Sequence, residues 1–271
     1  MYEWILAGVI VFFASVLQAS TGFGFAIMAT PFLLLVFDSR ECVQISIILS
    51  FIVSLLLIRK IINDIDKGLL RRLIIGSIVG VPLGVLFYKF VSLDILKATV
   101  SVVILIVTFI LIAISFRANP KSKAKKEDPS YKSLVRQDTS TVDVTPFLKK
   151  TQFFVGMCAG LLTTSIGMPG VPLILYYNAT NTKKETARST TLAFFIFVYI
   201  VSMATQLLTV KTNLDIVGSS LILIPVVAVG VFAGNLLFNK INQITFQRMA
   251  YGILLFTGFY MAIKSFCPSL I

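Results

Sequence analysis

The sequence predicts an all-α membrane protein that crosses the bilayer several times and consists of two inverted repeats. Its composition, its apolar segments and an internal repetition indicate this fold. Of the 271 residues, 57% are hydrophobic and only 13% are charged, with a mean hydropathy of +0.93. A soluble domain is nearer one quarter charged. The composition therefore excludes a soluble enzyme and a disordered chain, and it favours a polytopic membrane protein.

Eight apolar segments define the elements, at residues 4–37, 43–58, 73–90, 96–116, 152–177, 189–209, 215–238 and 246–266. Most of them fit one helical crossing, which needs about 20 residues. Two are interrupted, by STGFG at 20–24 and by SIGMPG at 165–170. Glycine breaks or kinks a helix, and Pro169 removes a backbone donor. We expect these two segments to be broken, re-entrant hairpins, which leaves three transmembrane helices in each repeat.

The distribution of positive charge supports six crossings rather than eight. The chain has 24 Lys and Arg residues, and with six crossings 19 of them lie on one side and 5 on the other. With eight crossings the division is 16 and 8. The positive-inside rule favours the more uneven division. The segment 117–150, with nine Lys and Arg, is then a basic cytoplasmic linker between a first repeat, 1–116, and a second, 151–271. A regulatory role for this linker stays open.

The internal repetition appears when the sequence is shifted by about 145 residues. Residues 20–24 then align with 165–169, and Gln44 aligns with Arg188. A shift of 150 aligns Gly80 and Gly84 with Gly230 and Gly234. Three crossings per half is an odd number, so the second half is inverted relative to the first. Inverted repeats are typical of secondary transporters.

Glycines spaced by four have a structural interpretation. Gly76, Gly80 and Gly84, and likewise Gly230 and Gly234, lie on one face of their helices without accompanying polar residues. Small residues at this spacing let two membrane helices approach closely. We expect helix packing at both sets.

The two breaks are the candidate substrate site. A break leaves backbone N–H groups unpaired at the start of the next half-helix, where the partial positive charge of the helix dipole favours an anion. Hydroxyl groups beside the breaks can donate to an oxyanion. With inverted symmetry the breaks meet near the membrane midplane. The alternative is that the glycines serve helix packing only. The candidate residues at the breaks are Ser20, Thr21, Gly22, Phe23, Gly24, Thr164, Ser165, Gly167 and Gly170.

Arg188 is the best charged candidate for contacting the anion. It opens the segment after the second break, and its guanidinium can pair with an oxygen of an anionic substrate. Its repeat partner Gln44 could hydrogen-bond the same anion. The alternative for Arg188 is an interfacial arginine that follows the positive-inside rule. No carboxylate within a span identifies a proton relay, although proton coupling of transport stays a hypothesis.

No catalytic constellation is present in the sequence. The chain has no His, no metal-ligand spacing, no phosphate-binding loop and no nucleophile elbow. We therefore expect neither an enzyme nor a cofactor. The net charge of +12 lies in loops between apolar segments, which indicates membrane orientation rather than a nucleic-acid partner.

Two stretches of sequence resemble a known family. QASTGFGFAIMATP at 18–31 and GLLTTSIGMPGVPLI at 160–174 resemble the paired signatures of the TauE/SafE sulfite exporter family, also called the toluene-sulfonate uptake permease family. The resemblance covers nearly the whole chain outside 117–150. It implies a cell-membrane transporter for sulfite or organosulfonates such as sulfoacetate, which works by alternating access at a midplane anion site among membrane lipids.

The residues alone indicate only an inverted-repeat transporter suited to a small anion. They leave open a passive anion channel, a carrier for another anion such as a carboxylate, and a non-transporting membrane scaffold.

Overall fold

The computed structural model describes residues 2–59, 64–117, 146–180, 182–210 and 214–237, with single positions between 255 and 263. Most of the predicted linker and of the predicted last crossing, 246–266, lies outside these residues. Within the described ranges the regular elements are α-helices. They are α1 Tyr2–Thr21, α2 Phe25–Phe37, α3 Glu41–Ile58, α4 Lys67–Phe90, α5 Leu93–Arg117, α6 Pro146–Ile166, α7 Gly170–Thr180, α8 Lys184–Val210 and α9 Leu214–Leu237.

Six of these helices are long and apolar enough to cross a membrane. Their apolar spans are Tyr2–Ser20, Glu41–Ile58, Lys67–Phe90, Leu93–Ile110, Lys184–Thr209 and Ile216–Leu236. Helix α2, with 13 residues, is apolar but only about 20 Å long. The predicted all-α, multi-pass architecture is confirmed.

Each interrupted segment forms a hairpin of two helices. In the first, Trp4 near the start of α1 packs against Phe37 at the end of α2, with ring centroids 5.1 Å apart. In the second, the amide of Gln152 near the start of α6 donates to the hydroxyl of Tyr176 in α7 at 2.6 Å. The sequence predicts short re-entrant segments, whereas α1, with 20 residues, reaches the length of a full crossing before the chain turns back.

Close glycine packing joins α4 to α6. A Cβ added to Gly76 would overlap the carbonyl oxygen of Phe153, and one added to Gly80 would overlap that of Met157. Gly156 of α6 lies equally close to the backbone of Leu73. Helices whose backbones touch gain dispersion energy and Cα–H···O contacts that bulkier residues would prevent. The predicted packing role of the α4 glycines is confirmed.

The same kind of packing joins α1 to α9. A Cβ on Gly230 would lie 2.7 Å from the Cβ of Ser15, and one on Gly234 would lie 2.7 Å from the Cβ of Ala19. Residue numbers rise together along both helices, so α1 and α9 run parallel. The packing role predicted for these two glycines is also confirmed.

Polar contacts define one end of the helix bundle, which we call the basic end. The guanidinium of Arg72 donates to the Gln152 side chain at 2.7 Å, and the backbone N–H of Asp66 donates to the Thr190 hydroxyl at 3.0 Å. The starts of α4, α6 and α8 therefore lie together. The basic residues on these starts and on the adjoining end of α3 are Arg59, Lys67, Arg71, Arg72, Lys149, Lys150, Lys183, Lys184 and Arg188.

The opposite end is tied by the loop between α2 and α3. Arg40 donates to the backbone carbonyl of Tyr88, and the Tyr88 hydroxyl donates back to the carbonyl of Arg40 at 2.9 Å. Asp38 in the same loop pairs with Lys97 of α5. These contacts fix the end of the first hairpin against α4 and α5.

Candidate functional site

Both breaks begin with a glycine in the left-handed conformation. Gly22 has a φ of +86° and Gly167 a φ of +78°, a region that residues with a Cβ adopt at a cost. The N–H of Gly22 donates to the carbonyl of Gln18 at 2.7 Å, and the N–H of Gly167 donates to that of Thr163 at 2.9 Å. This is the αL cap that ends a helix. The sequence-based expectation that glycine ends the helix at both breaks is confirmed.

The half-helix after each break starts inside the protein. Helix α2 begins after Gly24, which has a φ of +123° and gives no side-chain cap, and Phe25 at its start is fully buried. Helix α7 begins at Gly170, which is also buried. The first N–H groups of a helix have no intrahelical acceptor. Each start therefore presents partial positive charge within the bundle.

The two breaks touch each other. A Cβ on Gly170 would lie 3.6 Å from the Cβ of Phe23 and 3.4 Å from the ring of Phe195 in α8. The start of α7 in the second half therefore packs against the turn of the first break. This contact joins the two interrupted segments, and their meeting near the membrane midplane stays a prediction.

Arg188 lies on the first break. A Cβ on Gly22 would lie 3.2 Å from the Cβ of Arg188 and would overlap its Cγ, so the arginine side chain passes directly over the glycine. Its guanidinium donates to the carbonyl of Ala19 in the last turn of α1 at 2.7 Å. The carbonyl end of a helix attracts a cation. This hydrogen bond holds a positive charge at the break.

Gln44 does not join Arg188. It is buried in the first turn of α3, beside Tyr88, at the end opposite the basic end. Its neighbour Val43 lies 3.7 Å from the position of a Cβ on Gly167. Arg188 therefore accompanies the first break and Gln44 lies near the second.

The hydroxyl groups at the breaks hydrogen-bond to helix carbonyls. Ser20 donates to the carbonyl of Val16 at 2.8 Å, and Ser165 donates to that of Leu161 at 2.7 Å. Thr164 faces α4 instead, since it donates to the carbonyl of Val81 at 3.0 Å. To donate to an anion, Ser20 or Ser165 has to rotate about χ1. The side chain of Thr21 lies outside the described residues.

The two breaks differ in exposure. Ser20, Phe23 and Gly24 of the first break are half-buried, whereas residues 165–170 of the second are all buried. The first break, which carries Arg188, is thus the more accessible of the two. Among the described residues no group of three His, Cys, Asp or Glu side chains could hold a metal ion.

Thr30 is a neighbour of the site that the sequence analysis missed. It is fully buried in α2, and its hydroxyl oxygen lies 3.4 Å from the position of a Cβ on Gly167. One feature of the sequence draws attention to it, because Thr30 is the only polar residue in the helix FAIMATPFLLLVF.

We expect the substitution Gly22→Ala to weaken anion binding about tenfold. The new methyl group overlaps Cγ of Arg188, so the guanidinium has to leave its position on α1. The left-handed φ adds about 1 kcal/mol of strain to the folded state. The affinity is measured by the thermal shift that sulfite produces in purified protein.

A double variant separates the effect on Arg188 from the effect of strain. If Gly22 acts by positioning Arg188, then Gly22→Ala causes no further loss of affinity in an Arg188→Gln background. Additive losses in the double variant would show that Gly22 acts independently of the arginine.

Comparison with known proteins assigns the chain to a family. The family model described as sulfite exporter TauE/SafE matches residues 7–261, which include both breaks and all of the nine described helices except the first five residues of α1. No match was found among curated proteins or among solved structures. The TauE/SafE proteins are integral membrane transporters of sulfur anions such as sulfite, not enzymes. The match spans nearly the whole chain, and we conclude that this multi-pass membrane protein belongs to the TauE/SafE sulfite exporter family.

Proposed function

We propose that this protein is a secondary transporter of sulfite or small organosulfonates, such as sulfoacetate, and that it binds them where its two broken segments meet. The observation that carries the proposal is the position of Arg188. A cation held over the break at Gly22, within a family of sulfur-anion transporters, fits a substrate with several anionic oxygens.

We further propose that residues 1–116 and 151–271 are inverted repeats joined by the linker 117–150. The helix contacts support this, because two of the main pairings occur twice in equivalent form. Helix α4 packs on α6 as α9 packs on α1, and α8 packs on α4 as α3 packs on α9. The two hairpins also open at opposite ends, the first beside Lys97 and the second beside Arg72.

Inversion explains how alternating access would work here. Equivalent hairpins that enter from opposite sides let each side of the membrane be opened by the same kind of movement around a shared site. The first break is partly exposed and the second is buried. This difference supports a conformation in which the first break can be reached from solvent and the second cannot.

We assign the basic end to the cytoplasm. Nine of the described Lys and Arg residues lie on the helix starts and the helix end gathered there, whereas Arg40, Lys89 and Lys97 lie at the opposite end. Cytoplasmic loops of membrane proteins carry such an excess of positive charge. The site at Arg188 would then be reached from the cytoplasm in this conformation.

Flux into proteoliposomes tests the proposed function. The panel contains sulfite, sulfate, sulfoacetate, taurine and acetate, each measured with and without a pH step across the membrane. We expect saturable flux of sulfite or sulfoacetate and no flux of acetate. Acceleration by the pH step would support proton coupling, and an unchanged rate would contradict it.

The same experiment tests the alternatives. Flux that does not saturate and that follows the membrane potential alone would indicate a channel. Preference for acetate would indicate a carboxylate carrier. Absence of flux for every sulfur compound would contradict the proposed substrate.

A further inference from the structure

Thr30 carries a buried hydroxyl with no hydrogen-bond partner among the described residues. Its side chain is fully buried in α2, and its oxygen has neither a donor nor an acceptor within hydrogen-bond geometry. Buried hydroxyls in helices usually donate to the carbonyl four residues earlier. Ser15, Thr163 and Ser165 do so in this protein. An unpaired buried hydroxyl destabilises a fold by about 1–3 kcal/mol, so its presence needs an explanation.

The Thr30 hydroxyl faces the second break. Its oxygen is the atom nearest to the position that a Cβ on Gly167 would occupy, at 3.4 Å, and the next atoms are those of Val43 at 3.7 Å. Because these are ordinary contact distances, the Thr30 hydroxyl lies directly against the break at Gly167.

The second break also supplies helix N–H groups. Helix α7, with 11 residues, starts at Gly170, three residues beyond Gly167, and the buried N–H groups of Gly170 and Val171 lie in its first turn. Pro172 has no N–H. Helix starts favour anions, but the dipole alone is weak. The unpaired hydroxyl is the second, independent feature that suits an oxyanion here.

We propose that Thr30 binds an oxygen of the transported sulfur oxyanion at a second position, formed by the Thr30 hydroxyl, Gly167 and the start of α7. This inference rests on the proposed function. The position differs from the one at Arg188. The first position is formed by Gly22 and the side chain of Arg188, and the second by Gly167, Thr30 and Val43.

The two positions differ in the charge of the groups that form them. Arg188 supplies a full positive charge at the first, whereas the second position consists of neutral donors. Conduction of an ion requires sites that bind well enough to receive it and weakly enough to release it. A neutral second position suits an anion on its way from the half-exposed first break through the buried second break.

Thr30→Val tests the inference. Valine keeps the shape of threonine and removes the hydroxyl, so the variant loses an unpaired polar group in the anion-free state. We expect its melting temperature without anion to equal or exceed that of the wild type. We expect its dissociation constant for sulfite to rise about tenfold, equivalent to about 1.4 kcal/mol, because a hydrogen bond to a charged ligand is lost. Thr30→Ser keeps the hydroxyl and should bind sulfite within about twofold of the wild type.

Thr163→Val is the matched control. Thr163 is also buried, but its hydroxyl donates to the carbonyl of Ala159 at 2.6 Å. Removal of this hydroxyl should leave the sulfite affinity unchanged. If Thr30→Val binds sulfite as tightly as the wild type, the inference is overturned. A lower anion-free melting temperature in the same variant would then indicate a packing role for Thr30.

The anion panel distinguishes failure of the inference from failure of the proposed function. Sulfite, sulfate and acetate are each titrated into the wild type and into Thr30→Val by calorimetry. If the wild type binds acetate but no sulfur anion, the proposed function fails. The role of Thr30 is then tested by comparing the acetate affinities of the wild type and Thr30→Val. If the wild type binds sulfite and the variant binds it equally well, only the role of Thr30 fails. Binding of no anion by the wild type overturns both.

Discussion

Replacement of Gly80 by alanine is expected to destabilise the folded protein by about 3 kcal/mol, the upper end of the range for overpacking. The new Cβ would overlap the carbonyl oxygen of Met157 and would lie 2.8 Å from its carbonyl carbon and 2.9 Å from the nitrogen of Leu161. These are backbone atoms of α6, which cannot move aside as the end of a flexible side chain can. The helices would have to separate, and the contacts at Gly76 and Gly84 would be lost with them.

The measurement is the unfolding midpoint in a denaturing-detergent titration, supported by the fraction of monodisperse protein after purification. Gly218→Ala in α9 is the matched control, because a Cβ there has nothing within 4 Å. Alanine is the better helix former, so this control should be neutral or slightly stabilised. Equal midpoints for Gly80→Ala and the wild type would contradict the packing role of the glycine row.

The helices and the glycine contacts were predictable because each depends on local sequence. Apolar runs of about 20 residues define membrane helices whatever their partners are. Gly22 and Gly167 end their helices through a backbone conformation that favours glycine, and the spacing of Gly76, Gly80 and Gly84 directs all three to one helix face. In each case the pattern in the local sequence and the packing in the folded protein lead to the same result.

The partners of the polar residues were not predictable in the same way. Alignment of the repeats makes Gln44 the equivalent of Arg188, but α3 and α8 begin at opposite ends of the bundle, so the two residues have different neighbours. The hydroxyls of Ser20 and Ser165 lie beside the breaks as expected. Their own helix carbonyls, however, compete with any ligand for the hydroxyl proton.

Thr30 could not be identified as a site residue from the sequence. Its proposed role depends on the contact between Thr30 in the first half and Gly167 in the second, which are more than 130 residues apart in sequence. A single threonine in an apolar helix gives no sign of whether it bonds back to its own helix. Only the packing of the two halves reveals that its hydroxyl lacks a partner.

The substitution Arg188→Gln is expected to weaken sulfite binding by about 2–3 kcal/mol, roughly 30-fold to 150-fold, because a charge-assisted hydrogen bond is lost together with its charge. Transport at low sulfite should fall by a similar factor. The alternative role for Arg188 is structural, since its guanidinium donates to Ala19 at the end of α1. A purely structural arginine would lower the melting temperature without changing the sulfite affinity of the folded fraction.

Two variants separate these roles. Arg188→Lys keeps the charge but loses the planar fork of donors, so it should recover part of the affinity and remain below the wild type. Arg40→Gln removes another guanidinium that donates to a backbone carbonyl, that of Tyr88, at the opposite end of the bundle. It should reduce stability and leave the affinity unchanged. If Arg188→Gln bound sulfite as tightly as the wild type, sulfite would not bind at Arg188. Arg40 does not lie at the first break. If Arg40→Gln lost as much sulfite affinity as Arg188→Gln, the loss in both variants would be explained by a general disturbance of the fold.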